Sequence, residues 1–137
     1  MFVLDTDTLT HLLLGHNRVT DKKAQVTAEV ALTIITRIEL LQGRFASVLK
    51  AENGDRLLLA QQRLLENEKD LDDFIILKFD AAACTEFDRL RDNKKLRIQR
   101  ADLLIAAIVL ANRATLVTRN QKDFRRVPGL RVENWAD

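Results

Sequence analysis

Short apolar runs and longer stretches with three- and four-residue apolar spacing take turns along this chain. Phe2 to Leu4 is an apolar run stopped by Asp5, which predicts a short buried strand, and TLTHLLLG after it predicts a helix ended by Gly15. Val30 to Ile35 (VALTII) predicts a second strand. In TRIELLQGRF, which follows, Thr36 and Glu39 form the T-x-x-E pattern of a helix start. Residues 57–71 predict an amphipathic helix with one exposed face, ENEKDLDD being its solvated end. Phe74 to Phe79 (FIILKF) predicts a strand and DAAACTEFDRLRD a helix. ADLLIAAIVLANR is apolar nearly all round, which predicts a core helix whose first turn holds Asp102. Thr115 to Thr118 (TLVT) predicts a strand ending at Arg119-Asn120, NQKDFRR a short helical turn carrying Asp123, and LRVENW a last strand beyond Pro128-Gly129. Strands that alternate with helices argue for an α/β fold, a parallel sheet covered by helices on both faces.

Composition narrows this picture. A chain of 137 residues has the size of one domain, so residues 1–137 are expected to fold around one sheet and carry the whole function. With 47% hydrophobic and 31% charged residues and only 4 Gly and 1 Pro, no linker or low-complexity tract is expected. The single cysteine, Cys84, excludes an internal disulfide and is expected to be a buried thiol in a reducing compartment. No basic leader precedes Asp5, and the longest apolar run, Leu103 to Ala111, falls well short of the roughly 18 residues that span a bilayer. A cytoplasmic protein without a membrane segment is expected.

Charge changes the picture more. Met1 to Asp88 holds 10 basic and 15 acidic residues, a balance of −5; Arg89 to Asp137 holds 12 basic and 5 acidic, a balance of +7. The basic half is dense at RLRDNKKLRIQR and RNQKDFRR. Either run serves as a solvated face or as a surface for phosphates or an acidic partner.

In an open parallel sheet, ligands bind beyond the carboxyl ends of the strands, where the strand order reverses. Asp5, Glu39, and Asn120 with Asp123 all follow predicted strands, and Asp102 opens the helix before one of them. Each has a local alternative: Glu39 could close a capping box on Thr36, Asp102 could be a first-turn acid, and Asp123 could pair with Asn120 to cap its own turn. Caps, however, have no reason to gather at one end of one sheet, and a cap needs only one of Asp5 and Asp7. Two unit charges ~5 Å apart at an effective dielectric of about 20 repel by roughly 3 kcal/mol, so such a cluster demands protons or a cation. All-oxygen donors without a Cys or His pair select a hard divalent ion, Mg²⁺ or Mn²⁺, of the kind metal-dependent nucleases use on phosphodiesters. His11 and His16 have no placed partner for general-base work. Trp135 is expected to anchor the last strand to the core.

The segments FVLDTDTLTHLL, TRIELLQG, ADLLIAAIVLANRATLVTRNQKDF and VPGLRVENW together resemble PIN-domain proteins of the VapC type, the ribonuclease toxins of VapBC toxin–antitoxin pairs. The resemblance runs in order over essentially the whole chain. It implies a three-layer α/β/α sandwich around a central parallel sheet, and Mg²⁺ or Mn²⁺ held by clustered acids. Matched position by position, the acids are Asp5, Glu39, Asp102 and Asp123, with Thr118 and Asn120 as the polar residues that accompany the fourth. Asp7 occupies a position often held by Asn, and KKLRIQRA lacks the glycine common before the third acid. The implied activity is hydrolysis of RNA to a 5′-phosphate and a 3′-hydroxyl. Asp5, Asp102 and Asp123 would hold the metal directly or through water, and Glu39 would ligate it or orient the attacking water. Arg97, Arg100, Arg119 and Lys122, in the two basic runs, are the candidate RNA contacts, and the partners that the resemblance implies are a VapB-type antitoxin and a second copy of the chain.

Two other classes share the opening. DTDTL also resembles the start of haloacid-dehalogenase-like phosphatases, with Asp5 as nucleophile, but that chemistry needs a later lysine and a further acid pair at strand ends. A silent PIN-like binding module would have lost one or more acids, and none is lost here.

Overall fold

The computed structural model describes residues 1–137 and contains five short strands. These are β1 (Phe2–Leu4), β2 (Val30–Thr33), β3 (Ile75–Leu77), β4 (Thr115–Val117) and β5 (Arg131–Glu133), all parallel, in the order β3-β2-β1-β4-β5. Seven helices connect them: α1 (Thr6–Leu13), α2 (Asn17–Gln25), α3 (Ile34–Lys50), α4 (Gly54–Leu71), α5 (Ala81–Arg91), α6 (Arg100–Ala111) and α7 (Gln121–Phe124). No helix is long and apolar enough to cross a membrane.

Successive strand residues point to opposite faces, and the core divides accordingly. Val3, Ala31 and Leu116 pack with Phe87, Leu90, Leu103 and Ala106 on the α5–α6 side. Their neighbours Leu4, Leu32 and Val117 pack on the other side with Leu9, Val19, Leu40, Leu71 and Trp135. Two apolar layers separated by one sheet make the α/β/α sandwich that the resemblance implies. Apolar beyond its first turn, α6 is buried at Leu103 and from Ile105 to Val109, so it lies against the sheet along most of its length. Trp135 is 3% exposed with its ring 5.2 Å from that of Phe2, and it anchors the end of β5 as expected.

The structure departs from the sequence reading in three places. First, the helix α2 fills a stretch in which no element was expected; NRVTDKKAQ shows no apolar period because it buries Val19 alone. Second, α3 starts three residues before the capping box places it: Thr33 is the N-cap, its hydroxyl accepting from the Thr36 amide at 3.1 Å. Glu39 therefore lies in the second turn, free of capping duty. The reason is that the β2 ladder ends at Thr33 and the chain turns into helix there. Third, Cys84 is exposed: α5 buries Ala83, Phe87 and Leu90 at helical spacing, which leaves the next position around the helix in solvent.

The topology fixes where a site can form. From β1 the chain steps to β2 and β3 on one side, then crosses through α5 and α6 to β4 on the other side of β1. The order reverses at β1, and the carboxyl ends of β1, β2 and β4 open on that switch point.

Candidate active site

Register brings polar residues together before any side chain is considered. Leu4, Leu32 and Val117 are level across three strands, so the residues that follow them, Asp5, Thr33 and Thr118, form a polar row at the carboxyl edge. All three are buried.

Asp5 is also the N-cap of α1, its Oδ1 accepting from the Thr8 amide at 2.8 Å. Burial pushes its carboxyl above the ordinary value; hydrogen bonds from Thr118 and Thr8 pull the other way, and the charge of Asp7 adds to the rise. The Thr118 oxygen also accepts from the Asn120 amide at 3.0 Å, which folds the β4–α7 turn over the same edge. Asp102 stands in the first turn of α6, whose N-cap Gln99 makes no side-chain cap. Burial raises its carboxyl, and the charges of Glu39, Asp5 and Asp123 raise it further. Acids from four separate elements therefore share one field.

Glu39 accepts from the Thr6 hydroxyl at 2.7 Å. None of Asp5, Glu39, Asp102 and Asp123 has a cationic side chain within 4.0 Å; the ion pairs of the molecule lie elsewhere. A cavity of about 310 Å³ collects Asp5, Thr6, Asp7, Glu39, Asp102 and Asn120 over an apolar floor of Ile105 and Phe124. A groove of similar size, about 320 Å³, between α3 and α4 is lined by Arg44, Lys50, Arg56 and Arg63 and gathers no acids beyond Glu52. The acidic cavity is the one with chemistry.

The residues proposed from sequence separate into four groups. Asp5, Glu39 and Asp102 line the cavity, with Asn120 beside them and Thr118 beneath Asp5. Asp123 stands behind Asn120, whose side-chain amide donates to its Oδ2 at 3.1 Å, close enough to act on Asp102 by charge. Asp7 lines the rim with its side chain 60% exposed, while its carbonyl accepts from His11 Nδ1 at 2.8 Å. The basic candidates lie outside the cavity. Arg97, Arg100 and Lys122 are exposed, Arg100 resting 4.9 Å from the centre of the Phe87 ring. Arg119 reaches His11 Nε2 and Asp137, at 3.5 Å and 3.4 Å. Sequence reasoning missed Thr6, since no local pattern announces a hydroxyl that meets a carboxylate 33 residues away, and took Thr36 only for a helix cap.

Four acids with oxygen donors only and no cationic neighbour, two of which, Asp5 and Asp102, hold a proton more tightly than an ordinary carboxyl, fit a hard divalent cation. No three of the Asp, Glu, His or Cys side chains are drawn tightly enough to enclose an ion by themselves. No lysine lines the cavity, which removes the group that the phosphatase alternative requires.

Comparison with known proteins agrees with the geometry. The profile of the PIN domain family matches residues 2–130. The ribonuclease VapC2 of Rickettsia felis is 31% identical over 141 residues, covering 98% of each chain. The tRNA(fMet)-specific endonuclease VapC of Salmonella typhimurium is 23% identical over 139 residues, again covering 98% of each. Among solved structures, VapBC2 from Rickettsia felis bound to a DNA fragment from its promoter superposes with a TM-score of 0.78 at 29% identity, over 98% of both chains.

Proposed function

The chain belongs to the PIN-domain family, and from that premise we propose that residues 1–137 form one endoribonuclease unit, the toxin of a type II toxin–antitoxin pair, acting through Asp5, Glu39, Asp102 and Asp123. The enzyme is a nuclease, a hydrolase of phosphodiester bonds. One observation carries the assignment of the site: carboxylates from the end of β1, from α3 and from α6 converge on one cavity at the switch point with no cationic partner.

Asp5 and Asp102 are the residues placed to hold a divalent ion, Mg²⁺ or Mn²⁺, directly, and Glu39 and Asp123 through water or at the edge of its shell. Such an ion lowers the pKa of bound water and neutralises charge that develops on a phosphodiester in the transition state. The chain's own residues do the rest. Glu39, fixed at one oxygen by Thr6, orients the attacking water with the other. Asn120 turns Asp123 by hydrogen bonding and keeps its charge beside Asp102. Thr118 donates to Asp5 and offsets part of the cost of burying its charge. The products are a 5′-phosphate and a 3′-hydroxyl.

Arg97, Arg100, Arg119 and Lys122, in the half of the chain with a balance of +7, supply attraction for RNA that does not depend on its sequence. A VapB-type antitoxin is the protein partner. Phe45, Leu49, Leu58 and Leu65 on α3 and α4 stand more than half exposed and support burial against another chain. The family resemblance also supports a homodimer.

The deciding experiment incubates the purified protein with total RNA and Mg²⁺, with and without a chelator, beside Asp5→Asn and Asp102→Asn. Cleavage is expected to need the ion and both aspartates. Chelator-insensitive cleavage, or full activity in both variants, would sink the proposal.

A further inference from the structure

Thr6 sits between the two acids of DTD, and its side chain does nothing for its own helix. Asp5 is the N-cap of α1, and the Thr6 carbonyl, not its hydroxyl, receives Thr10. The hydroxyl instead crosses to α3, where it lies 2.7 Å from Glu39 Oε1 and 3.2 Å from Thr36 Oγ1.

Proton counting orders these contacts. A hydroxyl has one proton to give, and an ionised carboxylate only accepts. The Thr6 proton therefore goes to Glu39, at the short distance characteristic of a charged acceptor. Thr36 must then donate to Thr6. Thr36 is 0% exposed and its hydroxyl makes no other hydrogen bond, so without Thr6 its proton would be stranded in the core. Two hydroxyls thus act in series, each polarising the next, and end on one oxygen of one carboxylate.

We propose that Thr6 is a positioning residue: with Thr36 behind it, its hydroxyl holds Glu39 Oε1 and leaves Oε2 as the oxygen free for the metal site. The relay rests on the reading of Glu39 as part of that site. Its consequence is geometric. Glu39 is a half-buried side chain with three torsions and no cationic neighbour, so Thr6 is the side chain that fixes its carboxylate. Because Thr6 adjoins Asp5 in the chain, the same peptide that places one acid sets the second, though the second lies on a different helix.

The test compares the unmodified protein with Thr6→Val, which keeps the shape and loses the proton, and with Thr6→Ser, Glu39→Gln and the double variant Thr6→Val/Glu39→Gln. The first readout is Mn²⁺ affinity of the metal-free protein by calorimetry, the second cleavage of total RNA, and thermal melting checks each fold. Thr6→Val is expected to weaken Mn²⁺ binding about 10-fold or more, the range for lost outer contacts to a metal ligand. Thr6→Ser is expected to stay within about threefold of the unmodified protein, and Thr6→Val to add nothing in the Glu39→Gln background. The relay is overturned if Thr6→Val binds Mn²⁺ normally, if Thr6→Ser is as weak as Thr6→Val, or if the loss is undiminished in the double variant. Weak binding by Glu39→Gln beside normal binding by Thr6→Val overturns the relay alone; normal binding by both overturns the placement of Glu39 at the metal as well. Should Thr6→Val fail to fold, Thr36→Val reads the relay from its far end, with about threefold weaker binding expected and unchanged affinity overturning it.

Discussion

Asp5 carries two duties that pull against each other. As N-cap it satisfies the Thr8 amide, while as a buried anion it is held above its ordinary proton affinity by desolvation. Asn also caps helices well and carries no charge, so Asp5→Asn separates the duties. The sign of the pH effect follows from the raised carboxyls of Asp5 and Asp102. A raised folded value means that the metal-free folded protein holds its proton to higher pH than the unfolded chain does. That stabilisation is complete below the ordinary carboxylate value and is lost as pH rises through the raised one. Metal-free Asp5→Asn is therefore expected to melt at a higher temperature than the unmodified protein at pH 7.5, with the gap closing as pH falls towards 4. RNA cleavage by the same variant should drop roughly 100-fold or more, the effect of losing several kcal/mol of transition-state stabilisation. Scanning fluorimetry in chelator at several pH values checks the first outcome, and an equal or lower melting temperature at pH 7.5 contradicts it. Asp5 and Asp102 were legible because an acid at a strand end or in a first helical turn is a local pattern. Thr6 against Glu39 was not, since the contact joins residues 33 apart in the chain.

At the scale of elements, the sheet holds the acids in place through its central strands. Leu116, in the middle of β4, is 0% exposed and packs on the α5–α6 side, away from the carboxyl edge. Leu116→Ala is expected to cost about 2–5 kcal/mol, the range for a truncated buried leucine, and to leave cleavage per folded molecule nearly unchanged. Urea unfolding and a rate normalised to folded protein measure the two; a loss of rate at unchanged stability would place Leu116 in the site. The strands and α6 were readable as continuous apolar runs, and α4 by its three- and four-residue apolar spacing, because burial leaves such patterns in sequence. The helix α2 escaped because one buried side chain, Val19, makes no period. The start of α3 was misplaced because T-x-x-E fits a cap wherever it falls, and only the end of the β2 ladder decides that Thr33 takes that duty.

At the scale of the molecule, charge and metal act together. The half from Arg89 onward has a balance of +7 and contributes Asp102 and Asp123, so the proposed attraction for RNA and two of the candidate acids come from the same end of the chain. Arg97→Ala and Arg100→Ala are each expected to raise KM with little change in kcat, and to reduce the salt dependence of RNA binding by about one phosphate contact. The Arg100 guanidinium already rests on the Phe87 ring, so its loss should cost more than that of Arg97. Steady-state rates at several salt concentrations check both, and a fall in kcat at constant KM would move these arginines into the chemistry. Divalent ion at about 100 times its Kd should stabilise the fold by about 2.7 kcal/mol, a melting shift of roughly 10 °C that chelator removes. Asp5→Asn should show little of that shift.

The sequence by itself determined what is local: the order of strands and helices, the acids at their ends, the split of charge, and the family resemblance those residues carry. Hydrophobic period and capping chemistry act over one or two turns, and a linear pattern records them. The tertiary structure alone decided that β4 lies on the far side of β1 from β2, and so that Asp5 and Thr118 share one edge. It decided as well that Asn120 lines the cavity while Asp123 stands behind it, that Cys84 faces solvent, and that Thr6 reaches Glu39. The physical reason is common to all of these. Which side chains meet depends on the register between strands and the rotation of each helix over the sheet, and those are set by packing many residues at once.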